Sequence, residues 1–231
     1  MSFIIEAKGI AKQFHRERGE CNIFYPVQKT DFLVDEGEIA VLSGYSGSGK
    51  TTLLNMISGI LPPTEGSVLF EGKNIYEMTD CELSLFRNEN IGSVPQGQTA
   101  LHSLTVLENV LLPYTLYGKD KETYLAKEKY AKELLEKLQI LSLESVMPSE
   151  LSGGELRRVA VARSLIMQPK VIFADEPTSD LDELNTEIVV GLFKEIAKTG
   201  TSIVISTHDK DFVKFANSSY VMKDGVLEKQ I

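Results

Sequence analysis

The sequence predicts an α/β protein with a mainly parallel sheet whose strand-helix alternation is interrupted by a helical insertion. Apolar runs of strand length recur near both ends of the chain, a Gly-rich loop and a helix follow one of them directly, and helical periodicity dominates the middle. The 231 residues are 42% hydrophobic and 25% charged, which is ordinary globular composition. Disordered, collagen-like and disulfide-scaffold proteins are therefore excluded.

Strands account for most of the first part of the chain. Apolar residues predict strands over residues 3–10, 30–34 and 39–43. The last of these lacks alternation, which is typical of a strand buried on both faces of a parallel sheet. A helix is expected over residues 50–58, and a hairpin over residues 67–73.

Helical periodicity dominates residues 80–167. Apolar residues at a spacing of three and four predict an amphipathic helix over residues 120–140, with a solvated face of Lys and Glu. Strand patterns return over residues 170–175 and 202–206, with a helix over residues 183–198 between them. The chain is expected to end in a hairpin that turns at Asp224-Gly225.

Charge and cysteine usage exclude several kinds of partner. The 24 Lys and Arg against 33 Asp and Glu give a net charge of -9, which should repel nucleic acid and anionic lipid headgroups. Cys21 and Cys81 are expected to be reduced, buried thiols of a cytoplasmic protein. Residues 1–10 do not resemble a signal peptide, and Gly and Pro residues interrupt the charge-free stretch 90–107, so any membrane role is expected to run through a partner.

A phosphate-binding loop is predicted where residues 44–51 match G-x-x-x-x-G-K-[ST] between a buried strand and a helix. Its glycines let backbone N–H groups converge on phosphate oxygens, while Lys50 is expected to reach the β- and γ-phosphates and Thr51 to bind Mg²⁺. A Gly/Ser-rich turn without function is the alternative, which the flanking strand and helix disfavour. The predicted ATP-binding residues of this segment are Gly44, Tyr45, Ser46, Gly47, Ser48, Gly49, Lys50, Thr51 and Thr52.

Two adjacent carboxylates, Asp175 and Glu176, follow a second apolar strand. A phosphate loop alone does not distinguish kinases, GTPases, helicases and transport ATPases. A carboxylate at the end of a buried strand is where Mg²⁺ would be held, and its neighbour suggests a general base for water. A simple turn is the alternative, but the phosphate loop favours the functional interpretation.

A third motif, residues 151–155, begins a helical run with Ser152, Gly153 and Gly154. Ser and Gly at a helix N-terminus form a second anion-binding device. The chain would then have two anion-binding segments but one metal site, which is expected if each nucleotide is bound by both segments. A capping motif of Ser152 with Glu155, and nothing more, remains open.

Together these motifs resemble the ABC-type ATPase family over nearly the whole chain. Walker A matches residues 44–51, Walker B residues 171–175, the signature residues 151–155 and the D-loop residues 179–182. The resemblance implies a P-loop NTPase fold, in which a RecA-like core is joined by an N-terminal antiparallel β subdomain and an inserted α-helical subdomain. It implies one domain over residues 1–231, with the β and RecA-like parts at 1–95 and 168–231 and the helical subdomain at 96–167.

The resemblance also implies a site at the interface of a head-to-tail dimer, formed with a second copy or a related subunit, that holds two ATPs. Phe14 would stack on adenine. The implied catalytic residues are Glu176, the switch histidine His208, Lys50 and the Q-loop glutamine Gln96. The implied Mg²⁺ ligands are Thr51, Gln96 and Asp175. The residues implied to act on the partner's nucleotide are Ser152, Gly153, Gly154 and Asp182.

Within the family, residues 104–113 resemble the lipoprotein-release and macrolide-export (LolD/MacB-like) group, which also includes cell-division and peptide-antibiotic-resistance ATPases. These are separate cytoplasmic subunits that pair with integral membrane permeases. The sequence departs from the pattern at Pro95, where an aromatic is usual, and at Leu156 and Arg157, which replace a common Gln pair. Because proline lacks a backbone donor and restricts its neighbour, we expect altered Q-loop coupling.

The resulting hypothesis is an ATP-hydrolysing subunit of a membrane transporter, peripheral on the inner face of the cell membrane. A mechanotransmitting or regulatory ATPase with the same chemistry is the alternative. A DNA-repair or chromosome-organising ATPase would need a coiled-coil insertion or a basic face, and the acidic balance argues against it. A GTPase would need an Asn-Lys-x-Asp motif, which the sequence lacks.

Overall fold

The computed structural model describes residues 3–16, 22–97, 99–117, 121–179, 181–207 and 210–230. These residues form two compact units. Met1–Arg87 with Ser202–Ile231 make up the first, and Asn88–Thr201 the second. The predicted domain boundaries at residues 95/96 and 167/168 stay a prediction.

An antiparallel sheet of four strands opens the first unit, in the order β2-β1-β4-β5. Its strands are β1 (Phe3–Arg16), β2 (Asn22–Asp35), β4 (Glu65–Phe70) and β5 (Lys73–Asn74). β1 and β2 are both longer than predicted, because their pairing continues to the Arg16–Asn22 pair through segments that lack clear alternation and contain register shifts. The predicted N-terminal antiparallel sheet and the 67–73 hairpin are confirmed.

Parallel pairing defines the second sheet of this unit, ordered β10-β9-β3-β8. β3 (Ile39–Ser43) lies between β8 (Ser202–Ser206) and β9 (Ser218–Lys223), parallel to both. β10 (Val226–Lys229) returns antiparallel to β9 after the predicted turn at Asp224-Gly225. β3 and β8 are buried along almost their whole length, as the continuous apolar runs predicted.

Helix α1 (Lys50–Ile57) follows β3, and its residues Leu53, Met56 and Ile57 are fully buried. The short helix α7 (Lys210–Phe215) follows β8. Helix α2 (Asp80–Asn90) continues from the first unit into the second.

Helices make up most of the second unit, together with one pair of parallel strands. The strands are β6 (Ile91–Val94) and β7 (Val171–Asp175). The helices are α3 (Val106–Thr115), α4 (Lys121–Lys137), α5 (Gly153–Leu165) and α6 (Glu183–Ala197). The amphipathic helix predicted over residues 120–140 is confirmed, since Ala131, Leu134 and Leu135 of α4 are buried. The α/β class is confirmed as well.

One expectation about the cysteines is wrong. Cys81 is an exposed free thiol on α2 rather than a buried one, because the residues of this polar helix that face inward begin at Leu83. Cys21 lies outside the described residues. Among the residues described, the structure contains no helix with the length and apolar character needed to cross a membrane.

Candidate nucleotide-binding site

The loop between β3 and α1 has a shape that only glycine allows at two positions. Gly44 and Gly49 have φ angles of 146° and 112°, in the region that disfavours side chains. A Cβ atom at Gly44 would lie 2.2 Å from the Met222 carbonyl oxygen, and one at Gly49 would lie 2.0 Å from that of Pro26. Conformation and space together explain both glycines of the motif.

Lys50 is buried at the first position of α1. Its Nζ donates hydrogen bonds to the carbonyl oxygens of Gly44 at 2.7 Å and Tyr45 at 3.1 Å. The ammonium group is therefore held over the loop rather than extended into solvent.

Two features of this loop suit an anion. Ser48 is buried, and within the described part of the chain its Oγ has no hydrogen-bond partner. The Gly49 N-cap of α1 makes no side-chain capping bond, and no acidic residue lies in the first turn. A buried hydroxyl without a partner costs about 1–3 kcal/mol, and an uncapped helix N-terminus carries partial positive charge. A phosphate group would satisfy both.

The remaining loop residues differ in exposure. Tyr45, Ser46 and Thr51 are exposed, whereas Thr52 is half-buried. The predicted switch histidine, His208, lies outside the described residues, which reach Thr207 just after β8. The Thr207 N–H donates to the Leu42 carbonyl oxygen at 3.1 Å, so this strand end is fixed beside β3.

Phe14, the predicted adenine-stacking residue, lies on β1 opposite Phe24 of β2. Both residues are about two-fifths exposed, at 40% and 39%. Lys12 Nζ lies 5.4 Å from the centroid of the Phe14 ring. The hairpin thus presents aromatic surface suitable for stacking.

In the second unit, β7 carries Asp175 at its buried end, as predicted. Glu176 follows with a φ of 51°, a left-handed conformation that is unusual outside glycine. Its carbonyl oxygen accepts hydrogen bonds from the Ser179 N–H at 3.1 Å and the Ser179 Oγ at 2.9 Å. Such strain costs about 1–3 kcal/mol and is often found at functional sites.

The signature residues form a capping box between Ser152 and Glu155, the alternative interpretation of this motif. Ser152 Oγ accepts from the Glu155 N–H at 3.3 Å, while the Ser152 N–H and Oγ donate to Glu155 Oε2 at 2.8 and 2.7 Å. These bonds, and to a lesser degree the Arg158 charge, hold the pKa of the Glu155 carboxyl below its ordinary value. Gly153 and Gly154 form the half-buried first positions of α5.

The loop after β6 places Gln96 in an exposed position. The preceding Pro95 carbonyl oxygen accepts a hydrogen bond from Arg157 at 2.8 Å. At the D-loop, Asp182 Oδ1 accepts from the Asn185 N–H at 2.8 Å and caps α6, while Asp180 lies outside the described residues. Arg157 entered the sequence argument only as a departure from a pattern, because its partners are far away in sequence.

Comparison with known proteins gives one consistent result. The sequence profile of the ABC transporter family matches residues 27–179. The lipoprotein-releasing system ATP-binding protein LolD of Shewanella denitrificans is 38% identical over 98% of this chain and 95% of its own. The LolD protein of Aquifex aeolicus is 43% identical over 86% of this chain and 87% of its own.

Solved structures agree with the sequence comparison. A dimeric bacterial ABC transporter cassette superposes with a TM-score of 0.90 at 34% identity, covering 97% of this chain and 98% of its own. A dimeric post-hydrolysis state of an ATP-binding cassette, bound to ADP and Pi, gives a TM-score of 0.88 at 33% identity with the same coverage. The fold of this chain is therefore that of the nucleotide-binding cassettes.

Proposed function

The chain belongs to the ABC transporter family as an ATP-binding and ATP-hydrolysing subunit, and from this premise we propose that it drives an integral membrane permease through ATP-dependent closure and opening of a dimer. The observation that carries the assignment of the nucleotide site is the buried Ser48 Oγ, which has no hydrogen-bond partner among the described residues and lies just before the N-terminus of α1. Both features suit a phosphate group.

ATP binding rests on three parts of the first unit. The N–H groups of the loop and of the α1 N-terminus hold the phosphates, with Ser48 donating its free hydroxyl. Lys50 exchanges the Gly44 and Tyr45 carbonyl oxygens for β- and γ-phosphate oxygens. Phe14 offers its exposed face to the adenine ring.

The residues also fit Mg²⁺. A threonine hydroxyl at Thr51, a carboxylate at Asp175 and an amide oxygen at Gln96 are the hard oxygen donors that Mg²⁺ takes together with phosphates and water. When bound, the ion neutralises charge that develops on the phosphate oxygens.

Glu176 is the proposed general base, which accepts the proton of the water that attacks the γ-phosphate. His208 is proposed to hold the γ-phosphate through its imidazole. Ser152, Gly153, Gly154 and Asp182 act on the nucleotide of the opposite subunit. ATP thus bridges two subunits, and its hydrolysis removes the bridge and opens the dimer.

The names of the relatives support a transport role in which the partner belongs to a lipoprotein-releasing type of system. A subunit of this kind lies in the cytoplasm, peripheral to the inner face of the membrane. The alternative is a mechanotransmitting complex. It would have a different membrane partner but would use the same residues of this chain.

The test uses Glu176→Gln protein, trapped with ATP and purified from detergent-solubilised membranes of its own cells. We expect abolished turnover, retained ATP binding, an ATP-dependent dimer and a co-purifying multi-span protein identified by mass spectrometry. Glu183→Gln, which alters an exposed glutamate at the start of α6, serves as the matched control with normal turnover. Substantial hydrolysis by Glu176→Gln would refute the assigned base, and recovery of soluble proteins alone would refute the membrane partner.

A further inference from the structure

A continuous series of hydrogen bonds connects the loop of Gln96 with the backbone of Glu176. One terminal nitrogen of Arg157 donates to the Pro95 carbonyl oxygen at 2.8 Å, and the other donates to Ser179 Oγ at 2.8 Å. Ser179 Oγ in turn donates to the Glu176 carbonyl oxygen at 2.9 Å. All of these residues belong to the second unit.

We propose that Arg157 is a positioning residue for hydrolysis, which holds the Glu176 carboxylate in its reactive orientation and ties that orientation to the loop carrying Gln96. The inference rests on the proposed role of Glu176 as the general base. Arg157 itself touches neither nucleotide nor water in this proposal, and acts through Ser179.

The chemistry of the guanidinium explains why an arginine suits this position. Its planar fork presents several N–H groups in fixed directions, so one side chain can bind two acceptors that belong to separate loops. Arg157 is only 5% exposed, which limits its alternative rotamers and its competition with water. Lysine would carry the charge as a single point on a flexible stem and would lose the fixed geometry.

Ser179 occupies the middle of the series, where its hydroxyl acts both as an acceptor and as a donor. Its Oγ accepts from Arg157 and donates to Glu176, so the arginine selects the hydroxyl orientation that supports the Glu176 peptide. Hydrogen bonds in such a chain polarise one another. Because Glu176 has a left-handed backbone, it keeps this conformation only while surrounding contacts hold it.

Pro95 gives the other end of the series its rigidity. The ring fixes the φ angle of Pro95, so only ψ remains to turn its carbonyl group. A displacement of the Gln96 loop that carries the Pro95 carbonyl group with it moves or breaks the bond to Arg157. Movement at Gln96 would in this way reach Glu176 through two side chains.

Arg163 provides a matched control on the same helix. It is a half-buried arginine of α5, and it donates to the carbonyl oxygen and the Oγ of Thr99. Within the described part of the chain, the hydrogen bonds of Arg163 do not involve Ser179. Comparing Arg163→Gln with Arg157→Gln thus separates the general effect of losing a guanidinium from α5 from the specific effect of breaking the bonds of Arg157.

The experiment measures kcat, KM and the ATP dissociation constant of the full chain with Arg157→Gln, Arg157→Lys, Ser179→Ala and the Arg157→Gln/Ser179→Ala pair. We expect kcat to fall about tenfold in Arg157→Gln and Ser179→Ala, an effect of the size of one hydrogen bond, with ATP affinity within about twofold of wild type. The pair should be no slower than Arg157→Gln alone, since both changes break one series. Arg163→Gln combined with Ser179→Ala should show independent, multiplying effects.

Two results would overturn the proposal: multiplying effects of Arg157→Gln and Ser179→Ala, or loss of ATP affinity with kcat unchanged. Thermal melting checks folding, and if Arg157→Gln is unfolded, Arg157→Lys with Ser179→Ala forms the same cycle. A failure of the proposed function itself would be seen in different measurements. The wild-type protein would then not hydrolyse ATP, or the Glu176→Gln protein would still do so.

Discussion

Lys50 Nζ lies 2.7 Å from the Gly44 carbonyl oxygen, so the charged end of the phosphate-loop lysine is already folded over the site. Little reorganisation is then needed for the ammonium to reach a phosphate. Interactions of this charged kind contribute about 1.5–3 kcal/mol each.

Lys50→Ala should therefore weaken ATP binding about 10–100-fold, because it removes a charged hydrogen-bond donor to the phosphates. The ATP dissociation constant, measured by titration calorimetry, checks this. Lys73→Ala, at an exposed position of β5, should leave the constant unchanged. Equal affinity of Lys50→Ala and wild type would remove Lys50 from the site.

Gly49→Ala should destabilise the fold, because the new Cβ atom would lie 2.0 Å from the Pro26 carbonyl oxygen and the φ of 112° adds strain. Overpacking alone typically costs about 1–3 kcal/mol. Gly47→Ala is the control, since its φ of 80° is also left-handed but a Cβ there meets no atom within 4 Å. Urea unfolding should show the larger loss for Gly49→Ala, and an equal loss in both would contradict the steric argument.

The loop between β3 and α1, the position of Asp175 at the end of β7 and the capped start of α5 could be predicted because each is a short pattern beside a strand or helix. The left-handed backbone of Glu176 and the hydrogen bonds of Arg157 could not be predicted from the sequence. The Arg157 bonds join residues 62 and 22 positions apart, which only tertiary packing brings together. The full length of β1 and β2 escaped prediction because register shifts interrupt the pairing of their outer parts, so the sequence there lacks a regular alternation. Local periodicity does not encode partners that only the fold brings together.

The capping box of α5 predicts a pH dependence of stability. The Ser152 bonds lower the pKa of Glu155 in the folded protein below its ordinary 4.5. The charged Glu155 carboxylate therefore adds to the free energy of unfolding at a pH above its unfolded-state pKa, and this stabilisation is lost as the pH falls through its folded-state pKa. Glu155→Gln keeps the capping geometry but removes the charge. Glu155→Gln should lower the free energy of unfolding by less than about 1 kcal/mol at neutral pH, because the Glu155 carboxylate is largely solvated.

Urea unfolding of Glu155→Gln and wild type across the acidic range measures this difference. The two curves should differ at neutral pH and converge in acid. Glu150→Gln, an exposed glutamate in the preceding turn, should follow wild type throughout. A constant offset between Glu155→Gln and wild type at every pH would show that the charge is not the cause.

Ser48→Ala should change stability and binding in opposite directions. The Ser48 hydroxyl is buried without a partner among the described residues, so its removal relieves a desolvation cost and should stabilise the nucleotide-free protein by about 1 kcal/mol. The same change deletes a donor to the phosphates and should weaken ATP binding about 5–10-fold. Thermal unfolding without nucleotide measures the first effect and the shift of the melting temperature on ATP addition measures the second. Since a change in packing alone would move stability without selectively affecting ATP, a destabilised Ser48→Ala protein with normal ATP affinity would show that this hydroxyl does not face the nucleotide.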